Sequence, residues 1–186
     1  ESNRKIVAVG EVGLDFQYTK TDELIDLQKK TFEEMLSAAE KTSLPVIIHS
    51  RGTAIQIMNI LSSYNLKKIL FHWFSRPMKL LSQIIDHGYL ITEGPPALYS
   101  SGIREIIRRT PLTNLLTETD GPVKFGGPFK NEMTTPSFIP PVVSAIAQIK
   151  NKKESEVAEQ LIKNFNQFFG TALVLNSRPV KESESA

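Results

Sequence analysis

The 186 residues contain no cysteine, which removes disulfides and thiolate metal sites and leaves carboxylate and imidazole as the side chains able to hold a metal. No apolar run approaches the ~18 residues of a membrane span. The opening Glu1-Ser2-Asn3-Arg4 does not lead into the apolar stretch of a signal peptide. A cytoplasmic protein that makes no use of the membrane is therefore expected. Charge of either sign is scarcely in excess, with 22 Lys and Arg against 20 Asp and Glu for a net +2. That argues against coating nucleic acid through an overall field and leaves room for a local basic site. Histidine occurs three times. The chain starts at Glu1 instead of Met and reaches an apolar strand almost at once, so the natural N-terminus is expected to have been lost.

Hydrophobic residues make up 40% of the chain, enough for one core. A single domain is expected over residues 1–176, followed by a charged, disordered tail at 177–186. Short β-branched runs alternate with stretches of helical period, the pattern of repeated βα units around a parallel sheet. Strands are expected at Ile6–Val9, Pro45–Ile48, Lys68–Phe71, Tyr89–Thr92 and Asn114–Thr117. Between them, helical faces are read from Phe32, Met35, Leu36 and Ala39, with Thr21 as N-cap, then from Ala54, Ile57, Met58 and Leu61. Pro77 suits the first turn of a helix carrying Leu80, Leu81, Ile84 and Ile85, closed by Gly88. Ile103, Ile106 and Ile107 mark the next helix, which must end before Pro111. Residues 121–141, rich in Gly and Pro, read as a long loop with a task. Two closing helices follow and end at Gly170.

Glu11, His49, His72 and Asp120 each fall near the C-terminal end of an expected strand. In a β/α barrel those ends converge, and active sites are built there. Two imidazoles and two carboxylates suit a hard or borderline divalent cation such as Mg, Mn or Zn. Each residue also has an ordinary alternative. Glu11 after a glycine fits a capping residue, His49 or His72 a satisfied polar group, and Asp120 before Gly121 the start of a turn. Their joint recurrence on four strand ends favours a metal site. His87 falls at a helix C-terminus, where the dipole favours a partly positive ring, and is left out.

The stretches Gly10-Glu11-Val12-Gly13-Leu14-Asp15-Phe16, Leu44-Pro45-Val46-Ile47-Ile48-His49-Ser50-Arg51, Phe71-His72-Trp73-Phe74-Ser75 and Thr117-Glu118-Thr119-Asp120-Gly121-Pro122 resemble, in order and spacing, the signatures of the TatD family of metal-dependent deoxyribonucleases, in the amidohydrolase superfamily. The resemblance implies a TIM-type (β/α)8 barrel of which this chain supplies about the last five βα units. It implies hydrolysis of DNA phosphodiester bonds, single-stranded or at an end, often from the 3′ side. Two divalent metal ions are implied, roughly 4 Å apart, activating water and stabilising both oxygens of the displacement. Carried over by motif position, Glu11 bridges or ligates the metals, His49 and His72 hold one of them, and Asp120 binds metal while orienting or deprotonating the water. Arg51, Arg76, Lys124 and Lys130 are candidates for phosphate contact, and Trp73 and Phe125 for stacking on an unpaired base.

The chain departs from the family at several points. Trp73 stands where a small residue is usual and Arg76 where glycine is common. Glu93-Gly94-Pro95-Pro96 replaces small polar residues, so the pocket floor is expected to differ in shape or charge. The His-x-His strand that opens the family is not found before Glu11. The polypeptide alone is therefore expected to bind metal weakly and to be inactive, with the full-length protein a nuclease. Two alternatives stand beside this reading: another amidohydrolase activity, as esterase, lactonase or amidase, and an inactive remnant acting as an interaction module.

Overall fold

The computed structural model describes residues 6–17 and 21–170; the tail expected to be disordered lies outside the described residues. Five strands form one parallel sheet in sequential order: β1 (Val9–Gly13), β2 (Val46–His49), β3 (Ile69–Phe71), β4 (Leu90–Glu93) and β5 (Leu115–Thr117). β2 to β5 are short and largely apolar, as burial on both faces requires, whereas β1 at the edge is partly exposed. Six helices accompany them: α1 (Asp22–Thr42), α2 (Ala54–Leu61), α3 (Met78–Asp86), α4 (Ser101–Arg109), α5 (Ile139–Lys150) and α6 (Glu154–Phe169). No helix among the described residues is long and apolar enough to cross a membrane.

Local signals account for most boundaries. Thr21 caps α1, its hydroxyl accepting from Leu24 N–H, and Ser100 caps α4 through Ile103 N–H. α4 stops short of Pro111, and Gly88 and Gly170 follow α3 and α6 with φ of 72° and 66°, backbone that glycine tolerates best. β1 lies later than expected, at Val9–Gly13, because the chain from Ile6 to Ala8 makes no ladder. Its pairing with β2 is irregular between Val9 and Val12. This shift puts Glu11 inside the strand instead of at its end. At Gly13 the two strands approach so closely that a β-carbon would lie 1.9 Å from the His49 carbonyl oxygen. Only glycine fits there, so the position of β1 beside the His49 backbone depends on that residue.

Alternate residues of the sheet face two apolar layers. On one side Val46, Ile48, Ile69, Phe71, Ile91 and Leu115 join the helices in the main core, with Phe32, Leu36, Ile57, Ile84 and Ile107 fully or almost fully buried. On the other, Leu70, Leu90 and Leu116 meet Phe168 of α6, flanked by Ile47, Phe165 and Phe169. Burying each such side chain contributes on the order of 1.5–3 kcal/mol. Met35, expected in the core face of α1, is instead 41% exposed. Asn164 of α6 is buried and donates through Nδ2 to the carbonyls of Leu112, at 2.8 Å, and Leu115, at 2.7 Å, fastening α6 to the start of β5.

The expected loop at 121–141 contains two short 3-10 turns, Gly127–Phe129 and Pro136–Phe138, and gives way to α5 at Ile139. Pro140 and Pro141 therefore sit in the first turn of a helix, where a missing N–H costs nothing. Phe125, Phe129 and Phe138 form a separate apolar cluster, flanked by Trp73 and Leu98.

Candidate metal centre and substrate cleft

The parallel sheet brings the C-terminal ends of its strands to one side, and a cleft of about 570 Å³ opens there. Glu11 from β1, His49 ending β2, His72 just after β3 and Asp120 after β5 all line it. Glu11, His49 and His72 each offer a ligand atom, and these atoms lie within 4.8 Å of one another. Asp120 extends the group, its Oδ1 lying 3.5 Å from His72 Nε2. Glu11 Oε2 is 3.7 Å from the same nitrogen. The four residues read from the sequence are thus brought together.

The imidazoles are set by acids that sequence reasoning missed. His72 donates Nδ1–H to Glu118 Oε2 at 2.6 Å, which fixes the tautomer and turns Nε2 into the cleft. The hydroxyl of Thr92 donates to that same Glu118 oxygen and accepts from Trp73 N–H at 2.9 Å. On the other imidazole, His49 Nε2 lies 3.0 Å from Asp15 Oδ2, and Asp15 also has Arg51 Nε at 3.9 Å. A signal for both acids was present. Asp15 and Glu118 lie inside the quoted motifs, each just past the end of a strand, β1 and β5 respectively.

Titration behaviour follows this packing. Burial works against the His72 imidazolium, but the hydrogen bond to Glu118 and the charges of Glu118, Glu11 and Asp120 outweigh it, so its pKa is raised above 6.5. Burial would lift Asp15, yet the hydrogen bonds from His49 and Gln17 N–H, with the charges of His49 and Arg51, leave it below the usual carboxylate value. Asp120 is raised, by burial first, with His72 opposing and Glu118 adding to the rise.

Glu93 corrects an expectation. Of the segment Glu93-Gly94-Pro95-Pro96 expected to alter the pocket floor, Pro96 lines the cleft and Glu93 does not, alternation along β4 sending Thr92 toward Glu118 and Glu93 to the opposite face. Glu93 is fully buried and neither of its carboxyl oxygens has a partner. Burial, and then the charge of Glu118, push its pKa well above 4.5.

Of the cationic candidates, Arg51 and Arg76 line the cleft, while Lys124 and Lys130 are exposed on the loop and outside the lining. Trp73 lines the cleft, and Phe125 stands behind it, ring centroids 5.5 Å apart. Phe125 is buried. His87 donates Nδ1–H to Gln83 O at the end of α3 and takes no part in the site.

The sequence profile of the TatD related DNase family matches residues 1–170. The chain belongs to this family. Among relatives, the TatD-family chain is 27% identical to the uncharacterized metal-dependent hydrolase YabD of Bacillus subtilis, over 90% of its own length and 67% of YabD. It is 29% identical to the deoxyribonuclease TATDN3 of Homo sapiens, over 89% of this chain and 60% of that protein. Among solved structures, YjjV, a TatD homolog from Escherichia coli, superposes with a TM-score of 0.81 at 29% identity, covering 91% of this chain and 66% of YjjV. The fold is accordingly the α/β fold of the TatD TIM-barrel proteins. The chain spans 60–67% of the length of these relatives.

Proposed function

We propose that this TatD-family chain carries the metal centre of a hydrolase that cleaves DNA phosphodiester bonds, with residues 1–176 as its catalytic domain. The observation behind this reading is the meeting of Glu11, His49, His72 and Asp120, from separated strands, in one cleft beside two arginines. The name of TATDN3 supplies the DNA substrate. The donor set fits a divalent cation: Glu11, His49 and His72 offer atoms within 4.8 Å of one another, Asp120 lies 3.5 Å from His72, there is no thiolate, and acids back both rings.

A divalent ion bound there would supply a Lewis acid for the phosphoryl oxygen and lower the pKa of water. Glu11, His72 through Nε2, Asp120 and His49 would hold it, and the two carboxylates would allow a second ion to be held beside it. Asp120 has its basicity increased by burial, which suits a group that takes a proton from the attacking water. Glu118 holds His72 in one orientation, and Asp15 does the same for His49. Arg51 and Arg76 are placed to meet phosphate oxygens. Cleavage from a 3′ end of single-stranded DNA is the form of this reading that the motif resemblance favours.

The test uses the whole gene product, stripped with chelator and assayed on end-labelled single-stranded DNA and on small carboxylic esters, with Mg, Mn or Zn restored in turn. DNA cleavage that returns only with metal and falls at least about 100-fold in Asp120→Asn is the expected result. Metal-dependent ester hydrolysis without DNA cleavage would replace the nuclease reading with that of another amidohydrolase.

A further inference from the structure

Asp15 stands outside the cleft lining, yet its side chain meets two residues that belong to it, His49 and Arg51. One oxygen makes both contacts: Oδ2 lies 3.0 Å from His49 Nε2 and 3.9 Å from Arg51 Nε. The other, Oδ1, accepts from Gln17 N–H at 2.9 Å. The backbone here is clasped from two sides. Gln28 of α1 accepts from Asp15 N–H at 2.8 Å and donates to the Asp15 carbonyl at 3.4 Å. Leu14 N–H bonds the His49 carbonyl at 3.2 Å, and the Thr53 hydroxyl, just before α2, donates to the Leu14 carbonyl at 2.5 Å. The carboxylate is thus a fixed point between a metal-type imidazole and an arginine.

His49 and Arg51 use that shared oxygen in different ways. With Nε2 at Asp15, His49 has Nδ1 left to offer a cation, and its Nε2–H donates to the carboxylate. The more of the Asp15 charge this bond receives, the more basic the ring becomes at Nδ1. Arg51 draws on the same charge. At 3.9 Å its contact is an ion pair longer than a hydrogen bond, and its side chain is 47% exposed on the wall of the cleft. A pair of this kind is weakly held, so a phosphate that accepts from the guanidinium through two oxygens displaces it.

We propose that Asp15 is a positioning residue that couples phosphate binding at Arg51 to cation binding at His49. A phosphate in the cleft draws the guanidinium off the shared oxygen, Asp15 becomes a stronger acceptor for His49, and His49 a stronger ligand. This rests on the nuclease reading, which supplies the phosphate, and adds how its binding is linked to that of the metal. The linkage runs equally in reverse: a cation at His49 strengthens the imidazole's hold on Asp15 and releases Arg51 toward the phosphate. With the cleft empty of phosphate, Arg51 competes with His49 for Asp15, and the centre binds metal below its full affinity. Arg51 thereby has an effect opposite in sign to that of a simple phosphate contact, restraining the metal centre until the backbone of the substrate arrives.

The test is a binding cycle that needs no turnover. The Kd of the whole gene product for Mn is measured by electron spin resonance with and without thymidine 5′-monophosphate, which has a phosphate and no diester to cleave. Direct ligation of the cation by that phosphate raises the ratio of the two Kd values in every variant, so the decisive quantity is the change in the ratio. In Asp15→Asn, which keeps the size of the side chain, the ratio should fall by about 3- to 30-fold. Arg51→Gln, at an exposed site, should tighten Mn binding by about 2- to 10-fold when no phosphate is present, and this gain should vanish when Asp15→Asn is made as well. A ratio unchanged in Asp15→Asn, or a gain from Arg51→Gln that survives Asp15→Asn, overturns the coupling even if DNA is cleaved, the second because it marks a charge acting through space. An Asp15-dependent ratio in a protein that cleaves no DNA overturns the nuclease reading and leaves the coupling standing.

Discussion

His72 donates Nδ1–H to Glu118 at 2.6 Å, and this bond decides which ring nitrogen faces Glu11 and Asp120. Without it the ring is free to present either nitrogen and loses basicity at Nε2. Glu118→Gln should therefore weaken divalent metal binding by about 10- to 100-fold, in line with the loss of similar outer partners in other metal sites. Calorimetric titration with Mn or Zn against the unaltered protein checks this. An unchanged affinity would mean that the imidazole is held by its packing alone.

Glu93 gives the fold a pH dependence of definite sign. Its pKa is raised from 4.5 in the folded chain, so between that value and the folded one the native state holds more protons than the unfolded state. Stability then falls as pH rises through this window. Glu93→Leu removes two unpartnered buried oxygens and should stabilise by about 1–3 kcal/mol at pH 5. The gain should be larger at pH 8, where the folded carboxyl is pressed toward its charged form. Urea unfolding at the two pH values measures both numbers, and a gain that shrank with rising pH would contradict the assignment.

Asn164 couples α6 to β5 through two backbone carbonyls, and its own Oδ1 accepts from Gln160 Nε2 at 2.7 Å. Asn164→Ala removes a buried donor from both carbonyls, of which Leu112 O keeps its bond from Leu115 N–H, at a cost of about 1–3 kcal/mol. The midpoint of denaturant unfolding should fall accordingly. Because α6 covers the inner face of the sheet through Phe168, local hydrogen exchange in β4 and β5 should also rise.

The periodicity of the sequence carried the five βα units and the helical faces well, because burial on a repeating face is a local property of the chain. It misplaced β1, since Ile6 to Ala8 are apolar enough for a strand while the ladder that fixes a strand belongs to its partner. The four metal-type residues were legible from strand-end position. Asp15, Thr92 and Glu118 were not singled out, although two of them lay inside the quoted motifs, because their role depends on which neighbouring strand they meet. Glu93 went the other way: as part of Glu93-Gly94-Pro95-Pro96 it was read into the pocket floor, and only the alternation of β4 shows that it faces away from the cleft while Pro96 lines it. Asn164 stands in the Asn164-Phe165 stretch that resembles the family's C-terminal end, but its bonding role was not legible, since a buried amide has no periodic signature of its own.

The cluster of Phe125, Phe129 and Phe138 stands apart from the layers that support the sheet. The wall carrying Trp73's support can therefore be rebuilt by substitutions in residues 121–138 while the side chains gathered around His72 stay where they are. Descendants of this chain have a route to new substrates in which the reacting centre is inherited intact and only its aromatic border is renegotiated.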